Sequence, residues 1–249
     1  MTRFPSVWLD LLVAHSTLGE RAPEILATIE ARIAARESCG VTVFPRMAER
    51  YRALAAVAPD RAHVLLSGQD AYHGTVRLPD GRVVPEATGL CFSVPKGARL
   101  PPSLRNIWKE MAADLGGPVP TQGDLAHWSD QGVVMLNSIL TVEQDQPKSH
   151  DKYGWQTITA AIIEALSKTR PGLVFILWGN SAKALREYIQ PNGHTLIESS
   201  HPSPIGGACY KGFFGSQPSS RTNAALLAQG KPAIVWEPPL TTGSTGALF

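Results

Sequence analysis

Short apolar runs alternate along the chain with longer amphipathic stretches. The runs are Val64-Leu65-Leu66, Val133-Val134-Met135-Leu136, Leu173 to Trp178 and Thr195-Leu196-Ile197, and each fits a strand buried on both faces. Ser103 to Leu115, Tyr153 to Thr169 and Ala182 to Ile189 are the helices predicted between them, and Thr222 to Gln229 predicts a closing one. Ahead of the first strand, Pro23 to Tyr51 places Ile25, Leu26, Ile29 and Ile33 at helical intervals with charged residues between, which predicts a helical segment. Strands alternating with helices predict an α/β fold with a parallel sheet covered on both faces.

Ligands of an open parallel sheet bind beyond the carboxyl ends of its strands. All four predicted ends carry polar, turn-prone residues: Gly68-Gln69-Asp70-Ala71-Tyr72-His73, then Asn137, then Gly179-Asn180-Ser181, then His201-Pro202-Ser203-Pro204. Candidate chemistry therefore gathers at one edge of the sheet.

Composition narrows the class. The 249 residues suffice for one sizeable core, predicting a single catalytic domain over 1–237 and a loose Thr- and Gly-rich tail over 238–249. Hydrophobic residues at 43% and charged residues at 18% exclude a disordered polyelectrolyte. A net charge of +2 excludes the heavily basic DNA-wrapping proteins and leaves nucleic acid only a local patch. Cys39, Cys91 and Cys209 have no CxxC spacing, so neither a zinc site nor a disulfide framework follows. The run Val7 to Leu12 is broken by Asp10 and is too short to span a bilayer, which predicts a cytoplasmic protein without a membrane anchor. No GxxxxGK[ST] or strand-borne GxGxxG points to a nucleotide cofactor.

Ordered blocks carry a closer likeness: Gly68 to His73, Gly89 to Pro95 (GLCFSVP), Pro101 to Glu110 (PPSLRNIWKE), Leu136 to Val142 (LNSILTV), and His201 to Pro204 followed by Gly212-Phe213-Phe214-Gly215, with Leu177-Trp178-Gly179 as a weaker sixth. From about Val64 to Asn223 the chain resembles family 1 uracil-DNA glycosylases. The resemblance implies a three-layer α/β/α sandwich around a four-stranded parallel sheet. It also implies metal-free and cofactor-free hydrolysis of the bond between uracil and deoxyribose, by a monomer acting on uracil-containing single- or double-stranded DNA. Members of the family meet proteinaceous inhibitors.

Residue by residue, the resemblance and the chemistry agree on roles. An extruded base needs a stacker, an edge reader and a wall. Phe92 suits the stacker, Asn137 the reader, whose amide offers a donor and an acceptor, and Tyr72 the wall against a C5 methyl; Gln69 joins them at the base. By spacing alone Phe92 fits a core phenylalanine, Asn137 a turn former and Tyr72 an ordinary half-buried tyrosine. Asp70 can stabilise positive charge on the sugar and orient water, and His201 can donate to the leaving uracil oxygen. Taken singly, each also fits a turn or cap residue.

The remaining blocks resemble grips on the DNA backbone: Pro101-Pro102-Ser103, with Ser103 either a helix N-cap or a phosphate contact; Gly179, Asn180 and Ser181; Pro202, Ser203 and Pro204; and Tyr210 and Lys211. Ile205 stands where the family inserts an apolar wedge, unless it simply packs under its loop. Arg221 is a further basic candidate.

Departures from the family surround the site. Ala71 replaces a proline, which should loosen its loop unless packing compensates. Val76 to Leu78 and Arg82 to Val84 flank Pro79-Asp80-Gly81 and predict an inserted hairpin. Glu86-Ala87-Thr88-Gly89 replaces Gln-Ala-His-Gly, Asn180 replaces a serine, and Gly206 to Cys209 lengthens the wedge loop. Two other readings therefore stand beside uracil excision: the same chemistry on a modified pyrimidine, and a non-catalytic DNA-binding relative.

Overall fold

Helix α1 (Ser6–His15) buries Trp8 and Leu12, and the Trp8 indole donates to Leu54 O at 2.8 Å. The apolar run at Val7 to Leu12 is thus a packed helix. The computed structural model describes residues 3–204 and 212–239. Helix α2 (Arg21–Ser38) realises the predicted stripe of Leu26, Ile29 and Ile33 but stops well short of Tyr51. Gly40 at φ 82° ends it: the Gly40 and Val41 amides donate back to Glu37 O and Arg36 O at 3.0 and 3.1 Å, a left-handed C-terminal cap that only glycine adopts without strain. The chain then forms β1 (Val43–Phe44) and the short α3 (Arg52–Ala56).

Strand β2 (Val64–Asp70) leads into a hairpin, β3 (Thr75–Arg77) and β4 (Val83–Pro85), which closes on the predicted Asp80-Gly81 turn. Helix α4 (Pro102–Leu115) begins one residue earlier than expected, with Pro101 at the N-cap position and no side-chain cap bond. Ser103 is therefore not the cap. Pro102 at the first helical position has no N–H to satisfy and a preset φ, which leaves the Ser103 side chain to face the cavity described below.

After α5 (Ala126–Ser129), β5 (Val133–Ile139) runs past Asn137, so this residue lies within a strand and not at its end. Strand β2 is equally long, and the ladder continues through Gly68↔Asn137 to Asp70↔Ile139. Then come β6 (Val142–Glu143), paired with β1, and α6 (Trp155–Thr169). Strand β7 (Val174–Trp178) turns at Gly179 into α7 (Asn180–Lys183) and a 3₁₀ turn to Tyr188, two residues ahead of the expected start. Strand β8 (Thr195–Ser199) and α8 (Pro218–Leu227) complete the described fold; α8 starts at Pro218, ahead of the expected Thr222.

The four long strands form one parallel sheet in the order β5-β2-β7-β8. Helices α1 and α2 pack on α6, which lies against β5, while α4 packs on α8, which lies against β7 and β8. This is the expected α/β/α sandwich. Buried Glu110 and partly buried Asp114 of α4 hold the turn into α8. Glu110 accepts the Gly215 and Gln217 amides at 2.8 and 2.9 Å, and Asp114 accepts those of Ser219 and Ser220 at 2.9 Å. Helix α8 thus takes its N-terminal acceptors from another helix, which docks the Gly212 to Gly215 block beside the sheet. No helix among the described residues is long and apolar enough to cross a membrane.

Candidate active site

The close approach of β2 and β5 sets the floor of the site. A Cβ at Gly68 would meet Asn137 Oδ1 and Cys91 Cβ, so only glycine leaves the amide where it stands. Beyond this floor a cavity of about 210 Å³ is lined by Gln69, Asp70, Tyr72, His73, Phe92, Ser103, Asn137 and His201, with Gly68, Ala71 and the segment from Ala87 to Leu90. Six of the residues assigned to base recognition and chemistry are therefore brought together: Gln69, Asp70, Tyr72, Phe92, Asn137 and His201.

Asp70 is the last residue of β2 and is half-buried. Burial raises its pKa above the ordinary 3.8, and the backbone amide and cation of Lys148 draw it back down. Lys148 at φ 63° and Asp145 at φ 59° are left-handed residues of the loop after β6, and the Asp145 amide donates to His73 O at 2.9 Å. Strained positions cluster where surrounding structure over-determines them, and these two lie against the loop that carries Asp70.

Ala71 is buried with Phe44, Ala87 and Val142, and Tyr72 packs on the same cluster. Packing thus supplies the restraint that a proline ring would have given. The Tyr72 hydroxyl is buried without a hydrogen-bond partner, and burial pushes its pKa up. The Thr88 hydroxyl donates to Ser93 O at 3.3 Å, turned to the main chain where the family has a histidine.

Phe92 is itself left-handed, at φ 62°. Its ring meets Trp178 edge-on at 5.5 Å and His201 at 6.1 Å, and Trp178 in turn meets Phe213 at 5.3 Å. Phe213 of the Gly212 to Gly215 block thus backs the Phe92 ring through Trp178. Gly179, at φ 84°, lies under His201, where a Cβ would come within 2.9 Å of the histidine Cβ.

The state of His201 follows from one bond. The Ser203 amide donates to His201 Nδ1 at 3.0 Å, so the proton of the neutral ring sits on Nε2. Burial lowers its pKa below 6.5, which favours that neutral form.

The residues expected to grip DNA are placed differently. Ser103 is in its wall; Gly179, Asn180 and Ser181 line an adjoining recess of about 110 Å³ that shares Gln69 and His201. Pro202 is buried and its carbonyl accepts Asn106 Nδ2 at 2.7 Å, while Pro204, like Pro102, is exposed. Arg221 donates to Ser216 O at 3.1 Å. Ile205, Tyr210, Lys211 and the Gly206 to Cys209 extension lie outside the described residues. His73 lines the cavity although no role was assigned to it; its place directly after Tyr72 in the strand-end block was the available signal. Among the described residues, no group of three or more His, Cys, Asp or Glu is arranged to hold a metal ion.

A carboxylate, a neutral imidazole, an aromatic face and an amide around a cavity at the ends of parallel strands define an enzyme that encloses a planar heterocycle. A family model described as Uracil DNA glycosylase superfamily matches residues 55–226. The uracil-DNA glycosylase of Chromobacterium violaceum is 47% identical over 211 residues, 85% of this chain and 84% of its own. That of Vibrio campbellii is 40% identical over 230 residues, covering 91% and 96%. The crystal structure of mimivirus uracil-DNA glycosylase superposes with a TM-score of 0.79 at 26% identity, covering 94% of this chain and 87% of that one. The chain belongs to the uracil-DNA glycosylase superfamily.

Proposed function

We propose that this chain hydrolyses the N-glycosidic bond of uracil in DNA and leaves an abasic site, the first step of base excision repair. The observation that carries the assignment of roles is the meeting of Asp70, which ends one strand, Asn137, within a second, and His201, just beyond a third, around one cavity. A base extruded into it stacks on Phe92, presents its edge to the Asn137 amide and Gln69, and abuts Tyr72. The C1′–N1 bond breaks with its electron pair passing to the base. His201 Nε2–H donates to the uracil oxygen on which that charge gathers, a contact of the kind that contributes about 3 kcal/mol. Asp70 faces the positive sugar and takes a proton from the water that attacks C1′. Uracil leaves as an anion, so a second carboxylate is not needed.

Ser103 in the cavity wall and Gly179 to Ser181 in the adjoining recess serve as DNA-backbone contacts, joined by Pro101, Pro102, Pro202, Ser203, Pro204, Ile205, Tyr210 and Lys211. Residues through 237 act as one catalytic domain, monomeric and cytoplasmic. A variant of mimivirus UNG has been solved in complex with UGI, and an inhibitor of that kind is a partner for this face. Release of free uracil from defined oligonucleotides tests the assignment: Asp70→Asn and His201→Leu should slow it by about 10²-fold or more. No release from any uracil-containing DNA at ample enzyme would reject it. Release of 5-hydroxymethyluracil equal to that of uracil would favour the modified-base reading.

A further inference from the structure

The β3–β4 hairpin is an insertion that the chemistry at Asp70 and His201 leaves without a task. It is anchored: Leu78 is buried, and a Cβ at Gly97 would lie 3.3 Å from Pro79 Cδ, so the hairpin tip rests on the loop that leads to Pro101. Between the hairpin, α3 and that loop lies a second cavity of about 400 Å³. Ala87 and Thr88 line both this cavity and the uracil cavity, so one pair of residues walls them apart.

The lining of the second cavity is of two kinds. Leu78, Val84, Pro85 and Pro95 offer an apolar face, while Arg52, Arg82 and Lys96 outnumber Glu49 and Asp124. Arg52 is engaged with Thr88 O at 3.2 Å. Among the described residues Arg82 is paired with its neighbour Asp80, at 2.7 Å, and both side chains are exposed; such a pair contributes little and leaves the guanidinium open to a phosphate. Lys96 is exposed on the facing loop. An apolar face with two available cations fits a base joined to a phosphate.

We propose that this cavity is a subsite for a nucleotide that neighbours the uridine on the same DNA strand, with Arg82 and Lys96 meeting its phosphate. The proposal rests on the reading of the first cavity as the uracil pocket. A base without a partner enters such a cavity more readily than a paired one, so single-stranded DNA is the preferred occupant.

The test compares the wild-type chain with the double variant Arg82→Ala and Lys96→Ala, and with Val84→Trp, which fills the cavity without changing charge. Thermal melting of all three checks folding. On a long single-stranded oligonucleotide with a central uridine, both variants should raise KM about tenfold at unchanged kcat, and the double variant should lower the slope of log affinity against log salt by about 0.7 per phosphate lost. On a substrate trimmed of its flanking nucleotides the difference should vanish. Equal KM and salt slope on the long substrate, or a KM penalty that persists on the trimmed one, would overturn the subsite. A wild-type chain that releases no uracil would instead overturn the function on which it rests.

Discussion

Gly68 and Asn137 are register partners on neighbouring parallel strands, and a Cβ on Gly68 would stand 2.2 Å from Asn137 Oδ1 and 2.6 Å from Cys91 Cβ. Gly68→Ala must therefore displace the amide or the strand. A shift of about 1 Å at a reading group costs about 10²-fold in rate, and that is the fall in kcat/KM expected for uracil release. Steady-state release and a melting curve measured together separate this effect from unfolding. Activity within about twofold of wild type would mean that the Asn137 amide does not read the base.

Tyr72 lines the cavity and packs on the cluster of Phe44, Ala71, Ala87 and Val142. Tyr72→Gly removes that wall. Free thymine should then appear from ordinary thymine-containing oligonucleotides, with uracil release reduced. If uracil is still released and no thymine is, the ring is not what excludes the C5 methyl.

The pH profile of kcat/KM tests the roles proposed for Asp70 and His201. Asp70 acts as a carboxylate and burial raises its pKa, so activity falls as pH drops, beginning above the point that the ordinary value of 3.8 would set. His201 is neutral at pH 7 because burial lowers its pKa, and its protonation adds to the same acid limb. Asp70→Asn should remove the aspartate part of the limb along with most of the rate. A profile with its acid limb at the free-aspartate value would contradict the buried placement.

Stability should also weaken on the acid side. His150 is fully buried, its Nδ1 2.8 Å from Thr141 Oγ1 and its ring stacked on Tyr153 at 4.0 Å. Burial lowers its pKa from 6.5 to about 4. Between those values the unfolded chain binds the proton and the native one does not, so stability is lost as pH falls from 6.5 towards 4. His63, His194 and His201 are lowered as well and act in the same direction, while the raised carboxyls of Asp70 and Glu86 oppose them. Urea midpoints across this range should decline, and His150→Gln should flatten the decline. An unchanged slope in that variant would assign the effect elsewhere.

The strands were legible because a strand covered on both faces has no polar position to interrupt it, and Val64 to Leu66 or Leu173 to Trp178 reads that way at once. What was missed depends on partners far away in the chain. Asn137 and Ser138 interrupt the apolar run that ends at Leu136, yet β2 carries the ladder on to Ile139. Ser103 looked like a cap until Pro102 took the first helical position. The helical periodicity of Pro23 to Tyr51 ends at Ser38, because Gly40 at φ 82° stops the helix. Trp8 gave no sign that its indole would reach Leu54. At the site, the residues singled out in the ordered blocks, Gln69, Asp70, Tyr72, Phe92, Asn137 and His201, line one cavity. The tautomer of His201 and the left-handed turn at Phe92 were hidden, since one depends on a main-chain amide and the other on a backbone angle.

The order β5-β2-β7-β8 also governs how the enzyme comes into being. Strand β2 leaves the ribosome early, but its partners on either side, from Val133 and from Val174 onward, are synthesised much later. Parallel pairings between such distant segments form slowly and leave apolar edges open in the meantime. The cavity needs residues from Gly68 through His201, so no shorter nascent chain holds a working pocket. A chain that stops short of His201 therefore carries the aggregation hazard of the unpaired central strand without a complete pocket.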